Sequence, residues 1–189
     1  MASTAIRRKP RQERARETME RLLEGAARVL ERDGLDGFTV DKTAGEAGMA
    51  VGTAYQYFSD KYDILLQLLQ RWYARTENLH DDSIEAIIDR RAEIYFSEPG
   101  ASQLLNAARS IPRLHAYDLE VMNKVVHDRA TALAHGDAPS TEQIARTRVL
   151  TFAIDAVLRD ATDRPEREAK LMVQSLKDWA RTLGDYPVA

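Results

Sequence analysis

From Gln12 onward, apolar side chains recur every third or fourth residue, in blocks closed by glycine or proline. That period puts the apolar groups on one face of an α-helix, whereas a half-buried strand needs strict alternation. The clearest block carries Met19, Leu22, Leu23, Ala26 and Leu30 and reads as one helix from Gln12 to Asp33, stopped by Gly34. Shorter helices follow from Val40 to Glu46, with Thr39 as N-cap, and from Ala50 to Tyr57, with a turn at Gly48 between them. A longer one runs from Asp60 to about Leu79. Further helices are expected at 82–96, from Ala101 to near Ile111, at 113–134, at 140–160 and from Asp163 to just before Gly184. Ser140 with Gln143 and Asp163 with Glu166 have capping-box spacing. The chain has 27 alanines and 19 leucines against 10 valines and 9 isoleucines, which favours helix over strand. The expected fold is all-α, with about nine helices.

Several kinds of chemistry are excluded by composition. Without cysteine, the 189 residues hold no disulfide, thiolate nucleophile or Cys-ligated metal. No apolar run approaches the ~20 residues of a membrane span. The basic N-terminus, MASTAIRRKPRQERAR, has no apolar centre and is not expected to act as a secretory signal. Residues 1–16 carry a net charge of +5 within a chain whose total is −3. A basic arm on an acidic body points to a polyanion partner for the arm, which is expected to be disordered over 1–11. No glycine-rich phosphate loop or nucleophile elbow occurs, so an enzyme reading lacks a site, and no catalytic residue, metal or cofactor is assigned. His80, Asp81 and Asp82 are adjacent and cannot all face one ion from a helix; His115, Asp118 and His127 are too scattered to form a metal site.

The informative stretch is FTVDKTAGEAGMAVGTAYQYFSDKYDIL, residues 38–65. It describes two short helices joined by a glycine turn and braced by the long helix before them. Phe38, Val40, Ala44, Ala47, Met49, Ala54 and Phe58 supply an inward face against Leu23, Ala27 and Leu30. This is the pattern of a helix-turn-helix, in which the second helix enters the major groove. Gly52 permits close backbone approach, Thr53 suits a phosphate or a thymine methyl, and Gln56 suits adenine. Tyr55, Tyr57 and Lys61 are phosphate donors by type. Thr39, Lys42, Ala50 and Val51 complete the expected DNA-facing set.

These residues resemble the N-terminal domain of the tetracycline-repressor (TetR) family over about residues 14–66. The match rests on Gly34, Phe38-Thr39-Val40, Ala44, Ala47-Gly48, the run Val51 to Phe58, Lys61 and Leu65. The resemblance implies a helix-turn-helix domain over 12–59 and a helical ligand-binding and dimerisation domain over 60–189. It also implies a cytoplasmic homodimer, a double-stranded operator with two-fold symmetry, repression, and release by a small molecule. The alternative is a regulator whose C-terminal half binds a protein or only dimerises. Three positions depart from the family pattern. Thr43 replaces an aliphatic residue, which either loosens the core or bonds the preceding turn. Ala50 forfeits a side-chain cap worth about 1 kcal/mol. Ala54 stands where leucine is commoner.

In the C-terminal half, Ile144, Thr147, Leu150, Thr151, Ile154 and Leu158, with Ala153 and Ala156, form one candidate dimer stripe. Leu171, Leu176, Trp179 and Leu183 form the other. Trp72, Tyr95, Leu105, Met122, Val126 and Phe152 are expected to line a cavity for a small apolar or aromatic ligand. Asn106, Arg109, His127 and Asp155 would supply its polar groups, with Arg109 suited to a carboxylate.

Overall fold

The computed structural model describes residues 11–76, 83–134 and 137–182. Among them are nine helices and no strand. They are α1 (Arg11–Gly37), α2 (Val40–Glu46), α3 (Val51–Ala54), α4 (Lys61–Thr76), α5 (Ile84–Ser97), α6 (Ala101–Ser110), α7 (Pro112–Leu133), α8 (Thr141–Ala161) and α9 (Glu166–Thr182). The all-α expectation holds. Of the basic arm expected at 1–11, Arg11 already belongs to α1, while residues 1–10, the His80-Asp81-Asp82 cluster, Gly136, Leu183 and Gly184 lie outside the described residues. None of the helices described is long and apolar enough to cross a membrane.

The local chemistry sets most helix ends. Ser140 accepts from the Gln143 N–H at 3.2 Å, and Gln143 Oε1 accepts from the Ser140 N–H at 2.8 Å, closing the box at the start of α8. The second expected box does not form. Pro165 sits directly before Glu166, where α9 begins, and the Asp163 carboxylate instead accepts from the Ser102 hydroxyl on α6. Gly34 takes φ 66°, breaking the regular helix where the sequence predicts a stop. The second short helix is shorter than the expected 50–57, because Tyr55, Gln56 and Tyr57 continue as a turn rather than a helix.

α1 lies across α2 on one side and α6 on the other, so one long helix touches both halves of the chain. α4 leaves the short helices and packs on α6 and α7; α7 packs on α8, α8 on α9, and α9 on α5. Lys177 pairs with Asp89 and Arg181 with Glu85. Advancing four residues on α9 thus steps back four on α5, so the two helices are antiparallel. α8 and α9 are joined by residues 162–165 and also pack together, which makes them antiparallel neighbours. α5 and α8 therefore run in the same direction. A continuous apolar core runs from Leu22, Phe38 and Phe58 in the head, through Leu65 and Trp72, to Ile88, Leu105, Met122 and Ile154.

Candidate nucleic-acid interface and C-terminal site

The unit formed by α2, the turn and α3 is fixed from several sides. The Thr39 hydroxyl accepts from the Lys42 N–H at 3.2 Å and caps α2. Thr43 is fully buried, and its hydroxyl donates to the Thr39 carbonyl at 2.9 Å. Of the two outcomes open for this position, the bond to the preceding turn is the one realised. Gly48 makes the turn at φ 66°, a left-handed conformation that few side chains tolerate. The Arg21 guanidinium donates to the Ala47 carbonyl at 3.0 Å, locking that turn to α1. Ala50 caps α3 without a side-chain bond, as its residue type requires.

Phe38, Ala44, Ala54 and Phe58 are buried beneath this unit. The face they leave outward carries Ala50, Val51, Gly52, Tyr55 and Gln56, all exposed, with Tyr55 at 53%. Thr53, Tyr57 and Lys61 are half-buried at its edge. A Cβ on Gly52 would meet nothing within 4 Å, so the surface there is open. The Tyr57 ring packs 6.5 Å from that of Phe58, which holds the residue against the core. Lys61 lies over the Tyr62 ring at 5.6 Å. Thr39 and Lys42 are exposed, but Lys42 is ion-paired with Asp33 at 2.7 Å. Hydrogen bonds from Arg32 and from Lys42 hold the Asp33 carboxyl down at about 2. Glu46, bonded by Arg32 and Arg28, is lowered for the same reason.

The expected ligand residues separate into two groups. Trp72, Tyr95, Leu105, Met122, Val126 and Asp155 are buried, and Phe152 is half-buried with Arg148 over its ring at 5.9 Å. Trp72 and Tyr95 meet edge to face, with centroids 4.7 Å apart. Asn106, Arg109 and His127 instead stand exposed on the outer faces of α6 and α7, because the inner faces of those turns are taken by Leu105, Ala108 and Val126. Their helical register turns them away from the buried group.

A buried polar network occupies the interior. Arg159 donates to Asp155 at 2.6 Å, to Asp118 at 2.6 Å and to the Leu105 carbonyl at 3.1 Å. Tyr95 donates to Asp155 at 2.5 Å, and Tyr73 donates to Asp118. Burial and then the neighbouring aspartates raise both phenols well above their ordinary range. Burial opposes the Arg159 charge, but Asp155, Tyr95, Tyr73 and Asp118 outweigh it and raise its pKa. Arg91 on α5 is also buried, and its Nε and Nη1 have no hydrogen-bond partner among the described residues.

The surface of α8 and α9 corrects one expectation. Thr147, Leu150, Thr151, Ile154, Leu158 and Leu176 are core of the chain itself. The outward apolar groups are Val149 (60% exposed), Leu171 (60%) and Trp179 (37%). Ala145 and Ala156 are exposed at the same helical spacing as Val149.

Residues 22–68 match the family model for bacterial regulatory proteins of the tetR family. That stretch carries the helix-turn-helix domain that the tetR-family model describes. The HTH-type transcriptional regulator CymR of Pseudomonas putida is 31% identical over 102 residues, 49% of this chain. That match spans 50% of the relative's length. The likeness in fold extends well beyond the matched residues. A tetR-family transcriptional regulator from Streptomyces coelicolor superposes with a TM-score of 0.67 at 20% identity, covering 88% of this chain and 80% of that one. Multidrug binding protein EbrR, complexed with imidazole, superposes with a TM-score of 0.60 at 20% identity, covering 85% and 93%. On this all-helical scaffold, sequence reasoning missed Tyr73, Arg91, Arg159 and the pairing role of Asp118. Asp155 and Arg159 stand four apart on one helix face, the single local signal of the network.

Proposed function

We propose that the protein is a homodimeric, cytoplasmic transcriptional repressor that grips a two-fold symmetric DNA operator and is released from it by a small molecule. The observation that carries this reading is the exposed face of α3. A helix of four residues cannot be a core element, yet it is braced by α2, which packs on α1, and with the turn that follows it presents Val51, Gly52, Tyr55 and Gln56 to solvent. In this reading Gln56 and Thr53 meet base edges, while Tyr55, Tyr57, Lys61 and the arm meet phosphates. Ala50 and Val51 flank the base readers. Thr39 holds its edge of the interface, and Lys42 has to exchange Asp33 for a phosphate. The unpartnered apolar stripe of Val149, Leu171 and Trp179 supports pairing through α8 and α9. Release by a ligand is supported by the aromatic group around Trp72 and Tyr95, and by the small molecule carried by the neighbour EbrR. α4 links that group to the head, so a ligand favouring a different tilt of α4 lowers operator affinity by its differential binding.

Selection of bound sequences from random DNA tests the reading. It should return inverted repeats whose half-sites lie about one helical turn, ~34 Å, or a multiple of it apart. Asymmetric or unrelated sequences would count against it. In the selected operator, Gln56→Ala should relax particular base pairs at ~1–3 kcal/mol per half-site. Lys61→Ala should weaken all sequences alike and lower the salt slope by roughly one for each phosphate no longer neutralised.

A further inference from the structure

Four buried polar atoms have no hydrogen-bond partner among the described residues: Arg91 Nε and Nη1, Trp72 Nε1 and Thr151 Oγ1. They belong to one neighbourhood. Arg91 lies one turn before Tyr95 on α5, and Thr151 lies one turn before Asp155 on α8. Tyr95 bonds Asp155, and the two helices run parallel, so Arg91 and Thr151 stand at the same level. The Trp72 ring packs against Tyr95, and the Arg91 charge acts on the same phenol. The nearby carboxylates are already engaged: Asp155 bonds Tyr95 and Arg159, and Asp118 bonds Tyr73 and Arg159. Asp89, two residues from Arg91, pairs with Lys177.

Three of the four atoms can only donate, since guanidinium and indole nitrogens have no lone pair to offer. Their missing partner is an acceptor, which excludes amines and other cations. Arg91, 2% exposed, has no ion pair among the described residues, and a buried charge is costly unless paired. The buried residues nearest Arg91 along α5 are Ile88, Ala92 and Tyr95, and Trp72 packs on Tyr95, so the surroundings are aromatic and aliphatic. We infer that Arg91, with Trp72 and Thr151, anchors the carboxylate of an organic acid whose apolar body lies against the Trp72 and Tyr95 rings. This rests on the reading that a small molecule releases the operator, and it assigns that molecule's class. The anchor is Arg91 and not the exposed Arg109.

The test uses the full chain with its selected operator, and two acids, benzoate and octanoate, against their neutral amides, benzamide and octanamide. The acids should raise the melting temperature and release the operator, and the amides should do so at least tenfold more weakly. Arg91→Met should weaken the acid response by about 100-fold, whereas Arg90→Met, altering the exposed neighbour, should keep it. Equal action of acids and amides would overturn the assignment, as would an unchanged acid response in Arg91→Met. Should Arg91→Met not fold, Trp72→Phe removes the indole N–H together with part of the ring, and the neutral amides report the lost packing separately. About tenfold weaker acid binding then supports the anchor, and unchanged binding overturns it. Release by neutral compounds with acids inert overturns the anchor and leaves ligand release standing. No effect from either the acids or the amides overturns both.

Discussion

Thr43 shows how one side chain can settle a packing problem posed by its own residue type. A hydroxyl in a fully buried site costs about 1–3 kcal/mol if it finds no partner. The Thr39 carbonyl, one turn earlier, is within reach at 2.9 Å and removes that cost. The same carbonyl also accepts the Thr43 N–H at 3.1 Å, so it stays satisfied when the hydroxyl is removed. Thr43→Val should therefore cost no more than about 1 kcal/mol in urea unfolding. A loss above ~2 kcal/mol would show that the hydroxyl holds the α2 start in a way this pair of bonds does not explain.

At the scale of elements, the packing of α1 against the turn into α6 joins head to body. Gly100 sits at φ 70°, and a Cβ there would stand 2.8 Å from the Ala27 carbonyl oxygen of α1. Gly100→Ala combines left-handed strain, about 1–2 kcal/mol, with a clash against backbone. It should lower stability by at least ~2 kcal/mol and reduce operator affinity, because α1 braces the recognition unit. A variant of unchanged melting temperature and affinity would show that the two halves are coupled elsewhere. The α1–α2 seam has its own signature in acid. Asp33 at about 2 and the lowered Glu46 are depressed in the folded state. Their contribution is complete above the unfolded carboxylate pKa, about 4, and fades as pH falls toward 2. These groups are solvent-screened, so the loss of head stability between pH 4 and 2 should shrink in high salt. A loss beginning above pH 5 would have to come from other groups.

For the whole molecule, the outward stripe on α8 and α9 is the feature with most at stake. Val149 and Leu171, each 60% exposed, are large apolar groups left uncovered by their own chain. Val149→Asp should leave the helical content intact, since the side chain points mostly to solvent. It should shift sedimentation equilibrium toward the monomer and, by separating the two heads, weaken binding to a two-half-site operator far more than to a single half-site. A dimer unaffected by Val149→Asp would place the pairing surface elsewhere.

Which parts are legible in the residues alone follows from the range of the forces involved. Helix positions depend on neighbours three and four residues away, on caps and on glycine. Gly34, Gly48, Thr39 and the Ser140–Gln143 box therefore show in the sequence itself. So does the two-helix unit around Gly48, whose spacing is local. Capping at Asp163 fails because a partner on another helix, Ser102, takes the carboxylate. Periodicity points to the covered face of α8 because two faces of one helix can both carry apolar groups. Only the packing of α5, α7 and α9 determines which is covered. The same holds for the interior network. Tyr73, Asp118 and Arg159 come from three helices, and no spacing along the chain announces that they meet. Local periodicity fixes which helices form, whereas the meeting of distant charges is set by helix packing, which alone decides what each side chain faces.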